Sequence, residues 1–151
     1  MYRLIYSSVA VAALDDAEME TLLGVARELN ARDRITGILL HIHTRRHPED
    51  NSPVYFVQLL EGCREAVEAT YRRITRDELH HGLEVLTSGP TQHRAFTGWS
   101  MRLEDLSVSQ TLDAQRADPG HQEDQAPRSV AEWVRSGVAM EALIAGYGSA
   151  G

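Results

Sequence analysis

The chain has 151 residues, 42% of them hydrophobic, which suits one ordinary domain with a single core. Fifteen Lys and Arg against 22 Asp and Glu leave a net charge of −7 without the basic patch that phosphate-backbone binding needs, so nucleic acid is a poor partner. No apolar run reaches the roughly 18 residues of a membrane span, and the single Cys63 excludes an intramolecular disulfide framework.

From the N-terminus, Tyr2 to Ser8 (YRLIYSS) reads as a strand with Tyr2, Leu4 and Tyr6 on one face and Arg3, Ile5 and Ser7 on the other. Asp15 followed by Glu18 forms a capping box that starts a helix, with Leu22, Ala26, Leu29, Asn30 and Asp33 along one flank. Arg34 to His43 (RITGILLHIH) and Val54 to Glu61 (VYFVQLLE) read as two further strands joined by a long polar hairpin loop, 44–53. Gln58 shares the face of Val54, Phe56 and Leu60, and a buried amide there needs a specific partner.

Cys63 to Asp77 gives a second amphipathic helix with the stripe Val67, Thr70, Tyr71 and Ile74. Leu83 to Thr87 is a fourth strand, and Gly98 to Leu103 (GWSMRL) a fifth, with Trp99, Met101 and Leu103 facing one way. Residues 107–128 read as a linker, and Ser129 to Tyr147 as one amphipathic helix running through Gly137. The order β-α-β-β-α-β plus a strand predicts an α+β, ferredoxin-like sheet with both helices on one face. A C-terminal helical extension would then pack on the other face or mediate oligomerisation. Tyr6, Gln58 and the Trp99/Met101 pair converge under the two helices in that arrangement.

Taken singly, these residues have ordinary structural readings. Tyr6 suits a core tyrosine, Asn30 a helix C-cap, Gln58 an edge amide, and Trp99 and Met101 core packing. Arg73 and Asp77 suit an exposed i,i+4 ion pair. His41, His43 and His47, with His80, His81 and His93, offer metal-ligand chemistry but no defined ligand spacing, so no metal is expected.

The words LIYSS, LNARDRITGILL, YFVQLLEG, RITRDELHH and HRAFTGWSM occur in the order of one family, and over Met1 to Leu106 the chain resembles the BLUF domains, blue-light sensors that bind a flavin. The resemblance implies non-covalent FAD, with FMN or riboflavin as alternatives, lying between the two helices. It implies cofactor contacts from Asn30, Gln58, Arg73, Asp77 and His80, and a photoswitch of Tyr6, Gln58, Trp99 and Met101. In the implied mechanism light moves an electron and then a proton from Tyr6 to the flavin, and Gln58 ends in a rearranged hydrogen-bonded state that red-shifts the absorption. The pattern departs at Ala26 and Leu29, where relatives carry polar residues, and at Leu79, where an arginine is frequent.

On that reading, residues 1–106 form the flavin-binding domain, 107–128 a linker and 129–151 the helical extension. The protein is expected to be a short cytoplasmic photoreceptor and not an enzyme, signalling to a separate protein or through homo-oligomer contacts, without nucleic acid or membrane partners. Other functions of ferredoxin-like sheets fit less well. An acylphosphatase needs an anion-cradling loop that Arg3 and Asn30 do not form, and an RNA-binding module needs aromatics where Ile5 and Ser7 stand. A BLUF-like interaction module without flavin or photocycle is the competing reading, and the presence of Tyr6, Asn30 and Gln58 together argues against it.

Overall fold

The computed structural model describes residues 1–11, 15–43, 53–98, 100–107 and 130–148. The elements are β1 (Tyr2–Ala10), α1 (Asp16–Arg32), β2 (Thr36–His43), β3 (Val54–Gly62), α2 (Arg64–Thr75), β4 (His80–Pro90), β5 (Arg102–Ser107), α3 (Val130–Ser136) and α4 (Val138–Gly148). The strands form one sheet in the order β4-β1-β3-β2-β5. β1 runs antiparallel to β3 and β4, β2 antiparallel to β3, and β5 parallel to β2. This is the α+β, ferredoxin-like arrangement that the element order predicts, with the fifth strand added beside β2.

The start of α1 follows from local chemistry. Asp15 caps α1: its Oδ1 accepts from the Glu18 amide at 2.7 Å, and Glu18 returns the bond to the Asp15 amide at 3.0 Å. These two bonds satisfy amides that the first helical turn leaves without partners. The tight return from α1 into β2 places Arg34 in the left-handed region at φ 56°. In β2, a Cβ at Gly37 would collide with the Leu59 carbonyl oxygen of β3, so only glycine allows the two central strands to approach this closely.

The period-2 alternation of the central strands divides the core in two. On the α1/α2 side, Leu4 and Tyr6 of β1, Leu39 of β2 and Phe56 and Leu60 of β3 pack with Met19, Leu23, Val67 and Met101. On the opposite side Ile5, Ile38, Leu40, Ile42, Val57 and Leu59 pack with Phe96, Val134 and Met140. α3 and α4 therefore cover the second sheet face, as one of the two sequence-based expectations had it.

Three expected elements are corrected. The C-terminal helix is two helices, because Gly137 sits at φ 73° between α3 and α4 and interrupts helical hydrogen bonding. The fifth strand begins at Arg102 rather than Gly98: Gly98 adopts φ 87°, and the carbonyls of Ser100 and Met101 accept bonds from α1 side chains instead of a neighbouring strand. The fourth strand extends well beyond Leu83 to Thr87, over His80–Pro90. Residues 44–52 of the long hairpin loop, 108–128 of the expected linker and Ser129 of the expected C-terminal helix lie outside the described residues, as does Trp99.

One buried charge organises the end of β3. Glu61 is 0% exposed. Its carboxylate accepts from the backbone amides of Phe96 (2.7 Å) and Ala95 (2.9 Å), from the Thr36 hydroxyl (3.1 Å) and from Arg3 (3.4 Å). Arg94 closes the same arrangement by donating to the Glu61 carbonyl at 3.0 Å and to the Arg34 carbonyl at 2.8 Å. The loop after β4 is thereby fixed to β3 and β2, and Phe96 is delivered into the core beneath α3 and α4.

Candidate functional site

Between α1, α2 and the sheet lies a cavity of about 250 Å³. Leu22, Leu23, Leu29, Leu39, Phe56 and Ile74 give it apolar walls, while Tyr6, Asn30, Gln58, Thr70, Arg73, Asp77 and His80 contribute polar groups. An apolar slot with a few convergent polar groups is the usual character of a cofactor site.

Tyr6 and Gln58 are directly opposed across the β1/β3 ladder. Both are buried, and the Tyr6 hydroxyl donates to Gln58 Oε1. The Gln58 amide nitrogen in turn donates to Met101 Sδ at 3.4 Å. A chain of contacts thus runs from Tyr6 through the amide to Met101, and the orientation of one carboxamide decides both of its ends. The amide in VYFVQLLEG has its partners on either side.

Burial pushes the Tyr6 phenol well above its ordinary pKa, and the nearby Tyr71 and Asp77 push in the same direction. The hydroxyl is therefore held protonated, as a donor to Gln58 must be. Because the folded-state pKa is raised, its contribution to stability is complete below about pH 10 and falls as alkali ionises the unfolded chain first. Parent protein is expected to lose unfolding free energy between about pH 9.5 and 11 more steeply than Tyr6→Phe does. Parallel slopes in urea titrations across that range would show that Tyr6 does not resist ionisation.

Asn30 lies on the inner side of α1, buried, and its Nδ2 donates to the Ser100 carbonyl at 2.9 Å. Arg27, one turn earlier, donates from Nε to the Met101 carbonyl at 2.8 Å. Two side chains at i and i+3 of one helix thus grip consecutive carbonyls and fix the backbone from which Met101 reaches Gln58. Sequence reasoning missed Arg27; its spacing from Asn30 was the available signal.

His80 opens β4. Its Nε2 lies 3.1 Å from the Ile74 carbonyl, which can only accept, so Nε2 carries the proton; Nδ1 then accepts from the Ser8 hydroxyl at 2.7 Å in the neutral ring. The ring stands 6.2 Å from Tyr6 and 6.3 Å from Phe56. Arg73 and Asp77 are exposed at the cavity rim, and Asp77 Oδ1 also accepts from the Leu79 amide at 3.0 Å. Of the expected site residues, Tyr6, Gln58, Asn30, Met101, Arg73, Asp77 and His80 all border one cavity. Among the described residues no group of three or more His, Cys, Asp or Glu gathers as a metal site.

Fold and cavity together define a ferredoxin-like α+β protein with a ligand-sized slot between two helices and their sheet. The chain belongs to the BLUF family, sensors of blue-light using FAD, whose model matches residues 1–102. The photoactivated adenylate cyclase subunit beta of Euglena gracilis is 30% identical over 99 residues, which cover 65% of this chain and 10% of that protein. The chain spans about a tenth of the length of such curated relatives. Among solved structures, the dark state of BlrB, a BLUF protein, is 31% identical with a TM-score of 0.63, covering 92% of this chain and 96% of that one. Klebsiella pneumoniae BlrP1 with FMN and cyclic diGMP shares the fold at a TM-score of 0.61 and 24% identity, over 95% of this chain and 34% of that one. The matched region is a sensor module. Among the described residues no helix is long and apolar enough to cross a membrane.

The residues present fit the flavin that this family uses. An isoalloxazine ring is flat, apolar at its dimethylbenzene end and rich in acceptors with one N–H donor at its pyrimidine end. The slot offers apolar walls and amide, guanidinium, carboxylate and imidazole groups.

Proposed function

We propose that this chain is a blue-light photoreceptor in which Tyr6 and Gln58 form the switch and Met101 its first responder. The observation that carries the reading is the continuous contact Tyr6 hydroxyl to Gln58 Oε1 and Gln58 Nε2 to Met101 Sδ along the wall of the cavity. Asn30, Gln58, Arg73, Asp77 and His80 would hold the flavin, as FAD or as FMN or riboflavin. A bound flavin supplies blue-light absorption and a strongly oxidising excited state, chemistry that is the cofactor's own.

The chain's residues supply the rest. Tyr6, neutral and buried, is the electron and proton donor. While its proton sits at Oη it fixes the Gln58 carbonyl oxygen; once the proton leaves with the electron, Oε1 loses its donor and the amide is released to reorient, and the return of both to Tyr6 restores the phenol facing the reoriented amide. Reorientation withdraws Nε2 from Met101 Sδ, and Met101 answers with a new side-chain position. Its carbonyl stays held by Arg27, and that of the preceding Ser100 by Asn30. Trp99, in the same segment, would share the response. This is a bistable element with a local trigger.

In this reading residues 1–106 form the sensor, 107–128 a linker and 129–151 a helical extension. No enzymatic step is assigned to them. Output passes in the cytoplasm to a separate protein or to a change in self-association within a homo-oligomer. The test is an absorption spectrum of purified protein, supplemented with FAD, before and after blue light. Bound flavin with a small, reversible red shift is expected; a protein that stays colourless after incubation with FAD, FMN and riboflavin would refute the reading.

A further inference from the structure

We infer that Arg27 is a positioning residue of the switch: by holding the Met101 carbonyl from α1, it sets how fast the light-induced arrangement returns to the dark one. This rests on the flavin reading above and deepens it.

The part-buried Arg27 guanidinium makes, among the described residues, one hydrogen bond and no ion pair: Nε donates to the Met101 carbonyl at 2.8 Å. Arginine carries a planar fork of donors that suits carboxylates. Other arginines of this chain meet one, Arg32 with Asp33, Arg64 with Glu68 and Arg102 with Glu104. Arg27 instead reaches a backbone oxygen 74 positions later, on the residue whose Sδ accepts from Gln58.

Met101 stands where such an anchor matters. β5 pairs with β2 only from Arg102, opposite Ile38, so Met101 lies just outside the ladder while its side chain is buried in the core beneath the helices. Asn30 holds the preceding carbonyl, but Asn30 borders the cavity and Arg27 does not. A flavin in the cavity would meet Asn30 and leave the Arg27 bond alone. Arg27 is thus the tie between α1 and Met101 that the cofactor does not share.

Once Gln58 has reoriented and Nε2 has left Sδ, thermal return must rebuild that contact. A Met101 with a fixed backbone presents Sδ where Nε2 will find it, whereas a loosened one must first be ordered. Preorganisation of this kind removes part of the cost of forming a contact.

The full chain is loaded with FAD and illuminated, and the decay of the red shift is timed in the dark. The parent is compared with Arg27→Met, Arg27→Lys, Met101→Leu and the double variant Arg27→Met/Met101→Leu. Methionine keeps the apolar stem of Arg27 without a donor, lysine keeps a donor, and leucine fills the Met101 site without sulfur. Met101→Leu retains Tyr6 and Gln58 and so retains the red shift. Arg27→Met is expected to bind FAD within about twofold of the parent and to recover about threefold or more slower, while Arg27→Lys recovers within about twofold of the parent. In the Met101→Leu background the Arg27→Met change should leave the rate as it is, because the contact that Arg27 positions is gone.

Equal recovery of parent and Arg27→Met would overturn the role of Arg27 while leaving the flavin reading intact. The same slowing in the presence and absence of Met101 would overturn it too, by showing that Arg27 acts on the fold at large. An Arg27→Lys as slow as Arg27→Met, or an Arg27→Met that no longer binds FAD, would also overturn it. Failure of the parent itself to bind FAD, FMN or riboflavin would overturn both readings.

Discussion

Tyr6→Phe is expected to keep flavin in the cavity and to abolish the light-induced red shift of its absorption. The substitution removes only the hydroxyl, so the ring still fills its place beside Tyr71, 5.4 Å away, and the apolar packing of β1 beneath the helices is preserved. What disappears is the donor that holds Gln58 Oε1, together with the group proposed to yield the electron and proton. Gln58→Leu is expected to have the same optical outcome by a different route, since the leucine cannot hydrogen-bond to either Tyr6 or Met101. Each variant leaves a buried polar partner unsatisfied and should lose on the order of 1–3 kcal/mol of folding stability. If both variants photocycle like the parent, the switch has been assigned to the wrong pair.

Glu61→Ala should be the most destabilising single substitution considered, by about 3–5 kcal/mol. The carboxylate is fully buried and accepts from the Ala95 and Phe96 amides, the Thr36 hydroxyl and Arg3. Truncation would strand all of these donors at once. It would also free the loop that carries Phe96, a side chain buried against Val134 and Met140. Urea unfolding of the full chain measures the loss, and a change below about 1 kcal/mol would show that water replaces the carboxylate without cost. Glu61→Gln is a milder probe, because an amide keeps one acceptor but turns an N–H₂ group toward a donor that needs an acceptor.

Much of the site was legible because strand alternation is a local property. The facing of Tyr2, Leu4 and Tyr6, and of Phe56 and Gln58, followed from a period of 2, and the Asp15–Glu18 box from the spacing of an acceptor and an amide. That Tyr6 and Gln58 are direct partners depends on the register of β1 against β3, which no local pattern specifies. The segment GWSMRL shows why pattern misled. It alternates like a strand, yet the carbonyls of Ser100 and Met101 belong to Asn30 and Arg27, 70 and 74 positions earlier, and ladder pairing begins only at Arg102.

Charge and hydroxyl chemistry were harder to read. Glu61 in LLEG resembles any polar residue closing a strand until Arg3, Thr36 and the 94–96 segment surround it. Thr70 resembled one more member of an amphipathic stripe, and only the three-dimensional environment reveals that its hydroxyl lacks a partner. Gly137 was read through as helix because its flanks have helical composition, whereas its φ of 73° ends one helix and starts the next.

By covering Ile5, Val57 and Leu59 through Val134 and Met140, α3 and α4 make the far side of the sheet an occupied seat. Val57 and Leu59 flank Gln58 in β3 and point to that side, so it is the surface nearest the switch that the chain itself has claimed. Any partner seeking it competes with an occupant tethered to the same molecule, for which effective concentrations are on the order of millimolar. Access there is governed by how readily two short helices lift away, and that cost lowers the apparent affinity of any partner that takes their place.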